Sequence, residues 1–179
     1  ACVTLTPDIP DAGRWDADRC AADAPDLPAQ AQFPLGTGAL TSLRGNLTSD
    51  DVDVFAIDIC DVQAFSASTI NAATSLDTQL FLFAADGRGV IANDAAAAFI
   101  PQSLIDNSGG WITTPGRYYL AISGWDRDPV DVDTNTLFAP FGPRTGIQVP
   151  EGAGMSNPVA GWTNLGPPPT GLYEITLAG

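Results

Sequence analysis

The chain of 179 residues contains no histidine and no lysine, a single methionine and only two glutamates, and these gaps exclude more chemistry than the residues present suggest. Without His or Lys there is no Ser-His-Asp triad, no Cys-His pair, no imidazole metal ligand and no Schiff-base lysine. What survives is carboxylate-only catalysis, such as a glycosidase pair. Glu151 and Glu174 are the two glutamates, and nothing in the sequence singles out a working pair among the carboxylates. The chain therefore reads as a non-enzyme. No apolar run approaches the roughly 18 residues that a membrane-spanning helix needs, so no membrane insertion is expected.

Positive charge is scarce too. The seven basic residues are all Arg and stand against 21 acidic ones, for a formal charge of −14. Phosphate recognition needs a basic stripe, so nucleic acid is excluded as a partner, and an anionic membrane surface with it. The acidic side is almost entirely Asp, a residue that caps turns and supplies short oxygen ligands for hard cations. Loops and calcium are the expectation.

Three cysteines, Cys2, Cys20 and Cys60, form an odd set in a chain whose composition suits an oxidising, extracellular compartment. One bridge plus one spare thiol follows, and three pairings are open. Cys60 closes a strand pattern and Cys20 sits in the segment leading to it, which favours Cys20 with Cys60 and leaves Cys2 for an intersubunit link. A start at Ala1-Cys2 suggests a leader already removed.

Residues 1–36 hold five of the 15 prolines and little periodicity, and read as an extended arm with one short strand at Val3–Leu5. Such an arm needs a surface, either the body's own sheet edge or a neighbour's. From residue 37 to 179 the pattern is that of one all-β, antiparallel, jelly-roll-like sandwich. Strands are expected at 39–47 and 53–59, the latter with Phe55, Ile57 and Ile59 on the core face. Another lies at 64–69 with Phe65 and Ala67 inward. The nearly continuous apolar run 78–83 suits a central strand covered on both faces. Asp86-Gly87 turns it into 89–92, and 94–99 reads as loop. Trp111–Thr113 is expected to form a hairpin with 117–123 through Pro115-Gly116. A last strand spans 171–177. Residues 124–170 form an insertion too long for an ordinary hairpin loop, with Phe138, Phe141, Met155 and Trp162 as apolar anchors for a lid or for contacts.

Several of these segments follow one another in a recognisable order: Asp50-Asp51-Val52-Asp53-Val54-Phe55; Phe65–Thr69; Leu76-Asp77-Thr78 through Asp86-Gly87; Asn93-Asp94; and Pro115-Gly116-Arg117-Tyr118-Tyr119 through Gly124. In this order the chain resembles the bacterial pre-peptidase C-terminal domain over about residues 38–124 plus the final strand. The resemblance implies a sandwich found on secreted bacterial proteins, often beside proteases, in some members binding calcium or an extracellular polymer, and without catalytic residues. The expectation is a copy without an attached peptidase, and the connection before the last strand is greatly extended. A stand-alone surface or matrix protein fits that departure.

Two acidic groups are candidate calcium ligands. Asp126, Asp128, Asp131 and Asp133 alternate on one loop with Asn135 and, with carbonyls and water, approach the six to eight oxygens that calcium takes. Asp50, Asp51 and Asp53, with Asp77 and Asp94, form the second group, which the resembling fold gathers at one end of the sandwich. The plainer reading of both is turns and caps. Trp111, Trp125 and Trp162 with Tyr118 or Tyr119 are candidates for a sugar-stacking platform, against ordinary packing. The functional expectation is a secreted, self-assembling structural protein that adds its arm to a neighbour's sheet. The alternatives are a binding module for polysaccharide or fibrous protein, and a calcium-stabilised accessory domain of a secreted hydrolase.

Overall fold

The computed structural model describes residues 14–16, 23–34, 38–139, 145–163, 166 and 168–179. The expected strand Val3–Leu5, together with Cys2, Cys20 and Phe141, lies outside them. Among the described residues there are eleven strands, β1 (Arg14–Asp16), β2 (Ser42–Leu47), β3 (Val52–Ile59), β4 (Ser66–Ser68), β5 (Thr78–Ala84), β6 (Gly89–Asn93), β7 (Leu104–Asp106), β8 (Gly116–Gly124), β9 (Pro129–Val130), β10 (Gly161–Trp162) and β11 (Gly171–Ala178). No described helix is long and apolar enough to cross a membrane.

Two sheets form the sandwich. Sheet I has the order β1-β2-β11-β4-β7 and sheet II the order β3-β8-β5-β6, while β9 and β10 make a separate ribbon. All pairings are antiparallel except β1 with β2. Between the sheets, Leu43, Ala67, Ile105, Tyr173 and Ile175 of sheet I meet Phe55, Ile57, Ile59, Leu80, Leu82, Ile91, Leu120 and Ile122 of sheet II. The period of two places each of these on the inner face.

The expectation for β3 covers only half of its burial. Val52, Val54 and Ala56, of the opposite parity, are also inaccessible, and with Phe81, Phe83, Ala92 and Ala121 they form a second core on the outer face of sheet II. The lid over it comes from two places: Ala31 of the arm, and Leu137, Phe138 and Val159 of the insertion, with Trp162 packed alongside. Trp162 meets Phe81 and Phe83 edge-on at 5.4 and 6.2 Å between centroids. Burying a side chain of this size contributes roughly 1.5–3 kcal/mol. The insertion is thus a lid, anchored by Phe138 and Trp162, whereas Met155 is exposed.

The described arm packs against the chain's own body. Val54 donates its N–H to Pro25 O at 3.1 Å, Gln32 donates to Val54 O at 2.8 Å and Ala56 to Gln32 O at 2.9 Å, so the arm, with a 3-10 turn at Pro28–Gln30, bridges the edge of β3 in parallel at Gln32. The Trp162 indole N–H donates to Asp26 O at 2.7 Å, and the Arg117 guanidinium lies 5.0 Å over the Phe33 ring. On the far side, Gln148 exchanges backbone bonds with Ala92 of β6. Each edge of sheet II is therefore bridged locally by another segment of the chain, at Phe55 and at Ala92, which reduces the open ladder groups that promote edge-to-edge association.

One expected element does not form. Residues 111–113 are not a strand; β8 begins at Gly116 and pairs with β3 and β5 instead. Asn107 decides this: its side chain donates to Ile112 O and accepts from Ile112 N–H, both at 2.8 Å, and folds the segment into a loop. The short strand β7, with Ile105 inward, carried too little alternation to be read from sequence.

Candidate metal centre

The structure regroups the nine candidate aspartates. β8 lies between β3 and β5, with Val52 opposite Ser123 and Thr78 opposite Gly124. Asp51 and Asp77 therefore share one end of sheet II but stand about two strand spacings apart, roughly 10 Å. That gap divides the expected group of Asp50, Asp51, Asp53, Asp77 and Asp94 in two.

On the β3 side, the carboxylates of Asp51 and Asp53 are joined by Asp23 of the arm, a residue the sequence did not point to, and all three lie within 4.8 Å of one another. Asp51 and Asp53 are 5 and 1 % exposed. Asp51 accepts the Thr48 N–H at 2.9 Å, as a turn cap does. Burial holds its pKa above the usual carboxylate range, and the charges of Asp23 and Asp26 add to this. Asp53 accepts the Tyr173 hydroxyl. Gly45 permits that contact, because a side chain there would collide with the tyrosine ring. Asp50 turns away, in a left-handed backbone conformation (φ 63), to accept Arg127 Nη1 at 2.9 Å. Three carboxylates from two chain segments are a donor set that a hard divalent cation fits.

On the β5 side, Asp77 and Asp94 line an open cleft of about 210 Å³ with Ala95, Ala97, Ile100, Pro101, Phe99 and Trp125. Asp126 and Asp128, from the other expected group, do not line the cleft, although their charges reach Asp94. Burial, then the charges of Asp77, Asp128 and Asp126, push the Asp94 pKa up to about 7. Burial, opposed by a Gln79 hydrogen bond, pushes that of Asp128 up to about 6. Burial also raises Asp77 and Asp126.

Asp131 and Asp133 do not join them. Asp131 Oδ1 accepts the N–H groups of Asp133 and Asn135 at 2.9 Å, and Oδ2 accepts Asn157 Nδ2 at 2.8 Å. These bonds, Asn157 foremost, hold its pKa below the usual range. The carboxylate is occupied in pinning the turn to the 152–157 loop, and Asp133 is exposed. The densest acidic run in the sequence is thus mostly a turn.

The other candidates separate. Trp125 follows the end of β8 and Trp111 precedes its start, roughly 30 Å apart along a nine-residue strand. Trp162 is packed on Phe81 and Phe83, and the Tyr118 hydroxyl donates to Thr114 O at 2.8 Å. No shared platform forms among these rings. Glu174 is engaged by Arg44 at 2.7 Å. Cys60 is an exposed free thiol, and no disulfide occurs among the described residues; the expected partner Cys20 and the intersubunit candidate Cys2 fall outside them.

Compared with models of known families, with curated proteins and with solved structures, the chain finds no match. The resemblance to the pre-peptidase C-terminal domain accordingly rests on the order of its segments alone.

Proposed function

We propose that the chain is a non-catalytic, secreted β-sandwich that serves as a self-assembling structural subunit at a cell surface or in an extracellular matrix, with calcium at Asp23, Asp51 and Asp53 fastening its arm. The observation that carries this reading is the arm's backbone pairing with β3 through Pro25 and Gln32. A groove that accepts a strand from its own chain offers the same donors and acceptors to the arm of a neighbour, so exchange between copies needs no new contact. Charge supports a role for the cation: at −14, copies repel one another at low salt, and a divalent ion bound where the arm meets the body relieves part of that repulsion.

Light scattering across protein concentration, with calcium and then with excess chelator, tests it. Assembly that grows with concentration, requires calcium and is lost in Gln32→Pro, which removes the N–H donated to Val54, is the expected outcome. A monomer under every condition overturns it.

A second reading, a binding module for polysaccharide or fibrous protein, draws support from Trp125, 48 % exposed, and the fully exposed Phe99 at the cleft. It predicts that Trp125→Ala weakens polymer pull-down without changing the melting temperature.

A further inference from the structure

We propose that the cleft beside Asp94 and Trp125 receives the guanidinium group of an arginine side chain from a partner protein. This deepens the second reading above, a module that binds fibrous protein, and rests on it. Asp94 supplies the first observation. The residue lines the cleft, is only 6 % exposed, and its buried Oδ1 has no hydrogen-bond partner. A buried carboxylate without a donor costs free energy unless a positive charge nearby offsets it. Among the described residues the lining holds one other charged group, Asp77, and no basic one. Arg44, Arg88, Arg117 and Arg127 are paired with Glu174, Asp86, Asp58 and Asp50, so none of these four supplies the missing charge.

The rest of the lining selects the kind of cation. Phe99, Ile100, Pro101 and Trp125 make the walls largely apolar, and two carboxylates fall far short of the six to eight oxygens of a calcium shell. Such walls strip water from a metal ion or an ammonium without replacing it. Guanidinium is more weakly hydrated, stacks on aromatic faces and presents five donors in a planar fork. Trp125 is 48 % exposed, and its backbone N–H donates to Asp77 O at 3.1 Å, which fixes it beside the acidic wall. A cation set between a carboxylate and an indole gains from both. Phe99 stands fully exposed in a left-handed backbone conformation (φ 70), beside a bond from Ile100 N–H to Ala97 O at 3.0 Å, and extends the apolar rim for the stem of the entering side chain. Burial raises the Asp94 pKa, and the charges of Asp77, Asp128 and Asp126 that raise it further also attract a cation. A neutral sugar stacked on Trp125 leaves that charge unanswered. The cleft volume of about 210 Å³ lies below the roughly 300–1,000 Å³ of small-molecule pockets and suits one side chain.

Titration of the full chain with the blocked peptide acetyl-Gly-Arg-Gly-amide, followed by NMR, tests this. We expect saturable shifts of the Trp125 indole N–H and the Asp94 amide. The citrulline peptide, which keeps the shape without the charge, and the lysine peptide should bind less well, the former by about tenfold or more, the equivalent of one charged hydrogen bond. Asp94→Asn, nearly isosteric, should cost the arginine peptide a similar factor, and Trp125→Ala should weaken it as well. Asp77→Asn, at a less buried position, serves if Asp94→Asn does not fold. Asp51→Asn, at the arm, should change nothing. Equal affinity for the citrulline or the lysine peptide overturns the proposal, as does binding that survives both Asp94→Asn and Asp77→Asn, or no binding at all. If the arginine peptide fails while a neutral polysaccharide is retained in a Trp125-dependent way, the guanidinium site falls and the binding-module reading stands. If Trp125→Ala affects neither, both fall.

Discussion

Asp131 and Asp94 are almost equally inaccessible, at 2 and 6 %, yet their surroundings are opposites. Asp131 is surrounded by donors, two backbone N–H groups and the amides of Asn135 and Asn157. Asp94 feels the charge of three other aspartates and has a buried oxygen with nothing to accept from. The first is lowered in pKa and the second raised. Burial by itself therefore says little about what an acidic residue does. The number of donors that reach it decides whether it holds a turn together or keeps its charge uncompensated.

The largest change should come from removing the scaffold that both loops share. Phe138→Ala takes the central anchor out of the lid and should destabilise the fold by about 3–5 kcal/mol in denaturant unfolding. If the loss is small, the insertion does not depend on its apolar anchor. Next, Asp131→Ala removes the hub of its turn and should lower the melting temperature at neutral pH. Because the folded pKa of Asp131 is depressed, its contribution is present above the ordinary carboxylate value and disappears as pH falls through the folded one. Wild type and variant should accordingly converge in acid, and a gap independent of pH would point to packing instead.

Asp94→Asn should act in the opposite direction. A raised folded pKa means that the Asp94 contribution is fully present below the ordinary value of 3.8 and is lost as pH rises through about 7. In chelator, the wild-type melting temperature should decline over that interval, with Asp128 contributing and the charges of Asp77 and Asp126 bearing on Asp94. Asp94→Asn should flatten the decline and melt higher than wild type at pH 8. Identical profiles would mean that Asp94 does not carry the uncompensated charge. The smallest effect belongs to Arg117→Ala. The bidentate pair with Asp58, at 2.7 and 2.9 Å, is largely exposed, so its loss together with the Phe33 contact should cost under about 1 kcal/mol.

The alternation in 53–59 and 171–177 and the continuous apolar run at 78–83 were enough to place β3, β11 and β5, because strand patterning is a local property of the chain. Trp111–Thr113 shows the limit of that signal. Its short apolar run looks like a strand, but two hydrogen bonds from Asn107 fix it as a loop, and a side chain's choice of backbone partner leaves no mark on hydrophobic spacing. The second core was invisible for a related reason. Val52, Val54 and Ala56 read as an outer face until the arm and the insertion, distant in sequence, cover them.

The acidic sites divide in the same way. Composition and spacing determined an all-β, Asp-rich chain without the nucleophile and metal chemistry of His and Lys, and singled out nine aspartates, with Asp23 not among them. Which of them meet was decided only in three dimensions. β8 separates Asp51 from Asp77, the arm brings Asp23 to Asp51, and Asp131 is bonded within its own turn while the charges of Asp126 and Asp128 bear on Asp94. Strand pairing sets those neighbours, and pairing joins residues whose separation along the chain carries no trace of the contact.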